Sequence, residues 1–583
     1  MKPAPRRWEV AEAAALPGHP AVLGRVLAAR GYDGAAAREL LDTGTAGHPD
    51  PFLLTGMPEA VIALGVAVRE RQRIAVYGDY DADGVTACAM LTLALRAAGA
   101  VVQPYIPNRM TEGYGLHAAA LEELGRLGVQ LAVTVDCGTS SVEVVQGRPQ
   151  GMRLVITDHH LPLAPEGSAP RLAPADALIN PKQPGDTYPF DALAGAGVAW
   201  KLLQALEMEG VVPEGSAAQG LGLAALGTVA DMMPLRGENR LIVARGLAQL
   251  SRDPSPGIRA LCAAAGIRSA ALRASDIAFG LAPRINAAGR MEDAELALRL
   301  CLAEDEGDAE QIAAQLEAQN QVRREAVAVA LAQAEERIAE LPDDLPAIVL
   351  GDPGWPMGIV GLVAGRITEK YARPSFVACL DAEEAKGSAR SIRGVHVVKA
   401  LDAAAPALLR YGGHALAAGF SLDPARFEEF AALLLPAVAA QVGEAPPERV
   451  FRVDAVVTAG ELVPELCREL DALEPCGQGN HEALLAMRDC TVLAASSFGA
   501  TRQHLRVLLR DEAGGLAEAI AFNKPGVERH LPRGRRIDCC FGLELDEWDG
   551  RERVRMRLRD LRPAAAAEPI AVAETPVAVA ATA

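Results

Sequence analysis

The chain has 583 residues, too many for one hydrophobic core, so the sequence predicts three or more domains. Half of the residues are hydrophobic and the net charge is −18, which indicates a globular protein and excludes a polybasic, histone-like nucleic-acid binder, although a local basic groove stays open. Ten cysteines without CxxC spacing favour a reduced, cytoplasmic protein over a disulfide scaffold or a zinc site. The sequence predicts neither a secretory signal nor a membrane span.

The first part of the chain predicts helices followed by an α/β domain. Residues 1–70 have the pattern of short helices broken by proline and glycine, and we treat them as an N-terminal helical segment. Residues 71–245 alternate helices with short apolar strands, which is typical of a parallel sheet covered on both faces. Residues 246–345 predict a helical connector that ends in one long helix over 307–341. The strands of the α/β domain are predicted at 74–77, 101–107, 131–135 and 153–157.

The second part predicts three further regions. Residues 346–445 begin with the strand "AIVLGD" and continue as a second α/β domain. Residues 446–562 contain a series of short strands that suit a small β-barrel. Residues 563–583 are a low-complexity tail of Ala, Val, Pro and Glu, which predicts disorder. The predicted fold class is therefore α/β with an appended barrel.

Acidic and imidazole side chains follow three of the predicted strands. Two carboxylates about 4 Å apart repel by roughly 4 kcal/mol at an effective dielectric of about 20, so a fold keeps them close when a cation lies between them. In an open α/β sheet, sites lie at the carboxyl ends of the strands, and these side chains should converge there. They are Asp79, Asp81, Asp83, Asp136, Asp158, His159 and His160, with Asp231 added from an apolar stretch where a lone buried carboxylate would be costly.

This donor set predicts a metal centre. Oxygen and nitrogen donors without cysteine favour Mn²⁺ or Mg²⁺ over structural zinc, and more than four ligands suggest two ions about 3.5–4 Å apart. An EF-hand loop starting at Asp79 fails, because its twelfth position is Met90 instead of glutamate. The nucleophile loop of haloacid-dehalogenase-type phosphatases would leave Asp136 and the two histidines without a role. Any single aspartate here could instead be a cap or turn residue.

Four motifs, "GDYDADG", "VDCG", "TDHH" and "GTVADMMPL", resemble those of the DHH phosphoesterase superfamily and stand in the same order. The doubled acidic first motif is similar to the RecJ branch, the single-strand-specific 5′→3′ DNA exonucleases. Other stretches that resemble RecJ segments are "IPNRMTEGYGL", "FGLAPRINAAGRM", "GSARSIRGVHVVKAL", "YGGHALAAGF" and "LEPCGQGN". In one departure, Pro356 stands where the family usually has a histidine, so we assign no substrate role there.

The resemblance implies a function for each region and for the acidic residues. Residues 71–245 would be a DHH catalytic domain, 346–445 a DHH-associated substrate-binding domain and 446–562 an oligonucleotide-binding (OB) fold. His160 would act on the scissile phosphate as an electrophile or acid, and Asp158 would orient a histidine. The glycine-rich motif with Gly412, Gly413 and His414 would bind substrate phosphate. Two Mn²⁺ or Mg²⁺ ions would be held by Asp79, Asp81, Asp83, Asp136, His159 and Asp231, with Asp136 bridging.

Arginines and small polar residues in three loops suggest how a 5′ end is recognised. Guanidinium groups suit phosphate through paired N–H bonds, although each arginine could also form a structural ion pair. We hypothesise that Arg109, Arg284 and Arg290 hold the terminal phosphate. The full set of candidates is Asn108, Arg109, Arg284, Asn286, Arg290, Ser388, Arg390 and Ser391.

The sequence thus predicts a cytoplasmic, two-metal exonuclease that degrades single-stranded DNA from the 5′ end to mononucleotides in repair and recombination. Its expected partners are single-stranded DNA, a single-strand-binding protein and a helicase. One alternative is a DHH phosphoesterase acting on short oligoribonucleotides or cyclic dinucleotides, against which the barrel argues. Another is an inactive scaffold that keeps the fold, against which the complete set of ligand positions argues.

Overall fold

The computed structural model describes residues 1–564 except 110, 165–168, 382, 444–447 and 549–550, so most of the predicted disordered tail lies outside the described residues. The chain divides into two compact units. The larger unit contains Val10–Glu317 and the residues from Val453 onward, and the smaller unit contains Met1–Glu9 and Ala318–Arg452. Strand β1 (Arg6–Val10) lies in the segment predicted as helical, because its sequence pairs with a strand more than 400 residues away that local pattern cannot reveal.

A five-stranded parallel sheet with the order β3-β2-β4-β5-β6 forms the centre of the larger unit. All five residues of β4 are buried, as expected for a strand covered by helices on both faces. Strands β2, β4 and β5 are neighbours, so their carboxyl ends meet at one edge of the sheet. The strands are β2 (Arg73–Tyr77), β3 (Val101–Tyr105), β4 (Leu131–Val135), β5 (Arg153–Thr157) and β6 (Ala177–Ile179).

Helices cover both faces of this sheet. Alternate strand residues such as Ile74 and Val133 face one apolar core, and Ala75 and Ala132 face another. The helices of this part are α3 (Met57–Arg69), α4 (Ala82–Ala97), α5 (Ala118–Arg126), α6 (Val142–Gln146), α7 (Gly195–Met208), α8 (Ser216–Ala230) and α9 (Gly237–Arg252). Helices α1 (Ala21–Ala29) and α2 (Gly34–Leu41) come earlier in the chain and share a separate apolar core with the strands that follow residue 454.

The predicted helical connector is present. It consists of α10 (Pro256–Ala265), α11 (Ala274–Asp276), a π-helical turn (Ile277–Leu281), α12 (Ala282–Met291), α13 (Glu295–Cys301) and the 35-residue α14 (Glu306–Glu340). Helix α14 begins in the larger unit and ends in the smaller one. Its bounds differ by one residue at each end from the prediction made from its helical pattern of apolar residues.

The smaller unit is a second α/β structure. Its five-stranded sheet has the order β10-β11-β9-β8-β7, in which only the β7–β8 pair is parallel. The elements are β7 (Ile348–Asp352), α15 (Val360–Tyr371), β8 (Ser375–Cys379), β9 (Ala385–Arg390), α16 (Val397–Ala403), β10 (Arg410–Gly413), β11 (Ala417–Leu422), α17 (Phe427–Val442) and β12 (Arg449–Val453), which pairs with β1.

A closed five-stranded β-barrel follows, as predicted, and belongs to the larger unit. Its strands close in the order β14-β15-β16-β18-β17, with β17 pairing back to β14. The elements are β13 (Ala455–Val456), α18 (Pro464–Asp471), β14 (Leu485–Phe498), β15 (His504–Arg510), β16 (Leu516–Ala521), β17 (Arg536–Trp548) and β18 (Arg551–Pro563). Among the residues described, no helix combines the length and the apolar character that a membrane crossing requires.

Candidate metal centre

The carboxyl end of β2 brings three aspartates into a tight turn. Asp79 lies in the turn itself and is buried. Asp81 is the N-cap of α4 and accepts hydrogen bonds from the backbone N–H of Asp83 (2.9 Å) and Gly84 (3.2 Å). Asp83 lies in the first turn of α4 and is buried. A Cβ at Gly84 would lie 2.4 Å from the backbone nitrogen of Asp79, so the turn requires glycine there.

Asp83 is fixed by a helix N-terminus that sequence analysis did not identify. Its Oδ2 accepts the N–H of Gly195 (2.7 Å) and its Oδ1 the N–H of Ala196 (2.8 Å), the first residues of α7. A Cβ at Gly195 would lie 2.5 Å from Asp136 Oδ1. Gly195 therefore lets α7 approach both carboxylates. In the sequence, the glycine-rich run "LAGAGV" is the feature that could have indicated this close approach.

Asp136 and His159 occupy the centre of the cluster. Asp136 follows β4 with a φ of 63°, a left-handed conformation that non-glycine residues adopt mainly where the surroundings impose it. His159 Nε2 lies 3.1 Å from Asp136 Oδ1, 3.6 Å from Asp231 Oδ2 and 4.0 Å from Asp83 Oδ2. Three overlapping groups of side chains could each hold an ion: Asp79 with Asp81 and Asp136, Asp83 with His159 and Asp231, and Asp136 with His159 and His160.

Burial and mutual repulsion shift the protonation equilibria of the carboxylates in the cluster. Burial, reinforced by neighbouring aspartates, raises the pKa of Asp79, Asp136 and Asp231 well above the usual value and that of Asp83 to about 7. Within the described residues, Asp79 Oδ1, Asp136 Oδ1 and His159 Nε2 are buried without a hydrogen bond. Carboxylate oxygens and an imidazole nitrogen without thiolate are the donors that Mn²⁺ and Mg²⁺ accept. These residues fit a pair of divalent cations.

His160 has different contacts from His159. Its Nδ1 lies 2.8 Å from Asp158 Oδ1, and Asp158 also accepts the N–H of His159 (2.7 Å) and Thr139 (2.9 Å). Burial alone would raise the pKa of Asp158 and lower that of His160. Their mutual hydrogen bond and charge reverse both directions. The side chain of His160 is 34% exposed against 6% for His159, so His160 lies at the opening of the cluster.

Three more polar groups were missed by the sequence analysis. The hydroxyl of Tyr114 lies 3.0 Å from His160 Nδ1, and Asn180 donates to the His160 carbonyl (2.8 Å). The half-buried Lys182 interacts with Asp231, and burial lowers the pKa of its ammonium group. Tyr114 belongs to the "TEGYG" stretch, which resembled the family, but no pattern connects a loop tyrosine to a histidine 46 residues later.

The loop after β3 and helix α12 both contact the acidic turn. The guanidinium of Arg109 lies 4.9 Å from the ring centre of Tyr80, and its charge opposes the rise in the pKa of Asp79. Asn286 Oδ1 accepts the N–H of Ala82 at 2.9 Å, at the start of α4. The charge of Arg290 acts on Tyr80 as well. Asn108 binds the Glu112 carboxylate through its N–H and donates its side-chain amide to the Glu292 carbonyl.

Arg284 differs from the other predicted phosphate ligands, and the structure does not favour that role. Its side chain is 9% exposed, its Nε lies 2.6 Å from Glu317 Oε2, and it donates to the Gly280 carbonyl at 2.7 Å. A guanidinium that is already paired with a carboxylate and buried has little capacity left for a phosphate. The ion-pair alternative therefore describes Arg284 better.

The remaining predicted substrate residues lie in the smaller unit. Ser388 and Arg390 are on β9, where Arg390 donates to the Ser388 hydroxyl at 2.8 Å, and Ser391 follows and donates to the Val395 carbonyl at 2.7 Å. Gly412 and Gly413 end the exposed strand β10, and His414 follows them. Gly413 has a φ of 146°, and a Cβ there would lie 2.5 Å from the Ala417 carbonyl oxygen.

On the barrel, aromatic and basic side chains share one outer face. His504 lies between Phe498 and Phe522, with ring centres 5.2 and 5.1 Å apart, and Arg506 lies 5.3 Å from the Phe498 ring centre. Phe522 is 46% exposed. Phe541 is buried in the barrel core and is not available for base stacking.

Comparison with known proteins identifies the family. Residues 73–228 match the DHH family, N-terminal domain, 344–440 the DHHA1 domain and 453–560 the RecJ OB domain. The single-stranded-DNA-specific exonuclease RecJ of Dickeya dadantii is 36% identical over 96% of this chain and 99% of its own length. This chain belongs to the RecJ family.

Solved RecJ structures agree with this assignment. RecJ from Thermus thermophilus in complex with Mn²⁺ matches with a TM-score of 0.79 at 32% identity, covering 96% of this chain and 79% of that one. The same protein with Mg²⁺ gives a TM-score of 0.75 at 32% identity, over 96% and 78% of the two chains. The fold expected from the sequence is thereby confirmed.

Proposed function

We propose that this protein is a metal-dependent exonuclease that degrades single-stranded DNA from the 5′ end and releases 5′-mononucleotides. The observation that carries the proposal is the cluster of buried, mutually repelling carboxylates around His159 at the carboxyl ends of β2, β4 and β5. The cost of burying several carboxylates without a partner is large, and a pair of divalent cations removes it. The family assignment supplies the substrate class.

Six side chains would hold the metals: Asp79, Asp81, Asp83, Asp136, His159 and Asp231. Asp136 and His159 each belong to two of the three ligand groups, and of the two only the carboxylate has a second oxygen with which to bridge two ions, which supports that role for Asp136. When bound, two divalent cations lower the pKa of a bound water and neutralise phosphodiester oxygens. The N–H groups of Gly195 and Ala196 hold Asp83 in place for this task.

His160 acts on the substrate side of the cluster. Because Asp158 and Tyr114 engage Nδ1, the other ring nitrogen, Nε2, is the one left for a phosphate or leaving oxygen. The hydrogen bond and charge of Asp158 raise the pKa of His160, which favours the protonated ring that a general acid needs. Asp158 positions the ring by accepting from Nδ1.

Recognition of the 5′ phosphate is assigned to Arg109, with Arg290 and Asn286 beside it around Tyr80 and Ala82. Arg284 is removed from this set because of its ion pair with Glu317. In the smaller unit, Ser388, Arg390 and the Gly412–Gly413 hairpin are candidate phosphate contacts. The barrel face around Phe522 is a candidate surface for bases farther along the strand.

The biological setting extends the proposal. A nuclease for single strands needs a source of single-stranded DNA, so we include a helicase and a single-strand-binding protein as partners, and the cytoplasm as the location. Repair and recombination supply such strands.

One assay tests the proposal. A single strand labelled at either end is incubated with the full chain and Mn²⁺ or Mg²⁺. We expect labelled mononucleotide first from the 5′-labelled strand, little cleavage of the duplex and none in chelator. Faster hydrolysis of a cyclic or linear dinucleotide than of a long strand would favour the alternative phosphoesterase, which neither the barrel nor the relatives support. Release of label first from the 3′ end would overturn the polarity.

A further inference from the structure

The loop that carries Asp231 is held in an unfavourable backbone conformation. Asp231 ends helix α8, and Met232 after it has a φ of 57°. The N–H of Met232 bonds to the Val229 carbonyl and that of Met233 to the Thr228 carbonyl, a helix ending that normally uses glycine at the left-handed position. A non-glycine residue there costs roughly 1–2 kcal/mol. Such a conformation persists where the surroundings impose it.

Asp231 differs from two of the other candidate ligands in how its carboxylate is held. Asp81 and Asp83 each accept backbone N–H bonds. In the part of the chain that the structure describes, no N–H or O–H group of the protein hydrogen-bonds to the Asp231 carboxylate. Apart from the charge of the nearby Lys182, its place in the cluster is therefore set by where the loop puts its Cα.

A distant segment packs against this loop. It is Ala472–Asn480, which connects α18 to β14 and which we call the clasp. The N–H of Leu235 donates to the Gln478 carbonyl (2.8 Å), and Arg236 Nε donates to the Gly479 carbonyl (2.7 Å). A Cβ at Gly477 would lie 2.8 Å from Leu235 Cδ1, and one at Gly479 would lie 3.1 Å from Pro234 Cβ. The clasp thus meets the loop within five residues of Asp231.

The clasp is itself rigid, because buried polar side chains bind its carbonyl groups. Arg240 on α9 is 2% exposed and donates to the carbonyls of Leu473 (2.9 Å), Glu474 (2.7 Å) and Pro475 (3.1 Å). Asn480, also 2% exposed, donates to the carbonyls of Leu473 and Pro475. Helix α9 and the clasp are therefore joined by bonds that do not pass through the metal cluster.

We propose that the clasp is a positioning element for Asp231. It imposes the left-handed turn at Met232 and so places the Asp231 carboxylate against His159, at the side of the cluster that includes Asp83. This inference rests on the proposed function of Asp231 as a metal ligand. The clasp acts on metal affinity through the loop and does not touch the substrate.

Two variants loosen the clasp, and each has a matched control. Arg236→Ala removes an exposed side chain that donates to the clasp. Arg252→Ala removes an exposed arginine from the last turn of α9, the helix that begins directly after Arg236. Gly479→Ala strains a glycine with a φ of 72° that contacts Pro234. Gly514→Ala strains a glycine with a φ of 90° that has no neighbour within 4 Å of its Cβ position.

The measurements are Mn²⁺ affinity by calorimetry on the full chain, Tm, and kcat and KM on single-stranded DNA. We expect Mn²⁺ affinity at one of two sites to fall about tenfold in both clasp variants, the lower end of what supporting residues contribute. The KM for DNA should stay unchanged, and both controls should match wild type. Arg236→Ala keeps the test valid where Gly479→Ala fails to fold, because Arg236 is exposed.

Unchanged Mn²⁺ affinity in Arg236→Ala, or an equal loss in Arg252→Ala, would overturn the positioning role. The two proposals fail separately. A wild-type chain that does not cleave DNA while its clasp variants lose Mn²⁺ affinity would refute the exonuclease and keep the clasp. An active wild type with unaltered Mn²⁺ binding in the clasp variants would support the exonuclease and refute the positioning role of the clasp.

Discussion

Charged side chains lie close together in two regions of the larger unit. Only in one of these regions does the protein itself neutralise the charges. At the strand ends, like charges are buried beside each other, and their carboxyl pKa values are raised. On the outer surface of the barrel, arginines are paired with acids: Arg506 with Glu518, Arg557 with Glu544, and Arg559 with Glu482. Exposed pairs of this kind contribute about 0–1 kcal/mol and require no ligand. Charge that the fold cannot neutralise is thus the better indicator of function.

The strongest test of this contrast replaces the central carboxylate. Asp136→Asn keeps the shape of the side chain and removes its charge, so it should lower turnover by at least about 10²–10³-fold, the contribution of a single electrostatic group in an active site. Asp176→Asn is the control, because Asp176 lies at the amino end of β6 and accepts the N–H of Leu154. Near-normal turnover of Asp136→Asn at any Mn²⁺ concentration would end the two-metal interpretation.

The paired histidines should separate metal binding from chemistry. His160→Ala should lower kcat by about 10²–10³-fold with Mn²⁺ binding largely kept, as for loss of a general acid. His159→Ala should lose Mn²⁺ affinity, because its Nε2 faces three carboxylates. Titration of both variants with Mn²⁺ measures this, and equal losses of metal in the two would mean that their roles are misassigned.

Substitution of Arg109 and of Arg284 compares a guanidinium beside the acidic turn with one that is held in a buried ion pair. Charge-assisted hydrogen bonds contribute about 1.5–3 kcal/mol each, so Arg109→Ala should cost about tenfold to a hundredfold on 5′-phosphorylated DNA and much less on 5′-hydroxyl DNA. Arg284→Ala breaks the ion pair with Glu317 and should lower Tm and affect both substrates equally. The cleavage rates of each variant on 5′-phosphorylated and on 5′-hydroxyl DNA distinguish the two roles. An equal loss on both ends for Arg109→Ala would assign that arginine to the strand or the fold.

Acidification should weaken metal binding. Asp83 has a pKa of about 7 in the metal-free protein, so below that pH a cation displaces a proton, and Mn²⁺ affinity should fall about tenfold per pH unit for each proton released. A carboxyl pKa raised by folding contributes stability at low pH that is lost as the pH rises through about 7. The gain in Tm on adding Mn²⁺ should therefore be larger at about pH 8 than at about pH 6. A pH-independent gain would show that these groups do not bind the metal.

The smallest effect is expected on the barrel. Phe522→Ala should raise the KM for a long single strand about fivefold with kcat unchanged, because stacking of one base on an aromatic ring contributes about 1–3 kcal/mol. Leu516→Ala is the control, since Leu516 is a large, exposed residue at the start of β16, the strand whose other end leads into Phe522. No change in KM would leave the Phe498–His504–Phe522 face without a role in binding.

The local pattern of the sequence was sufficient to predict the strands and, with them, the position of the acidic side chains at their carboxyl ends. Strands β2, β4 and β5 were each predicted within one residue, and the barrel was predicted from its series of short strands. Contacts between residues distant in sequence were not predictable. The ion pair of Arg284 with Glu317, the burial of Phe541 and the hydroxyl of Tyr114 at His160 depend on tertiary packing.

Asp81, Asp83 and Asp158 owe their orientation to backbone amide groups, and this has a practical consequence for handling the protein. Small zinc domains collapse when their ion is removed, because nothing else orders the ligands. Here backbone N–H groups hold two of the six proposed metal ligands, and Asp158 beside them, and a large apolar core supports the sheet beneath. Chelation followed by dialysis should yield an enzyme that is folded and inactive. Spectroscopists could refill it with a metal of their choice without a refolding step.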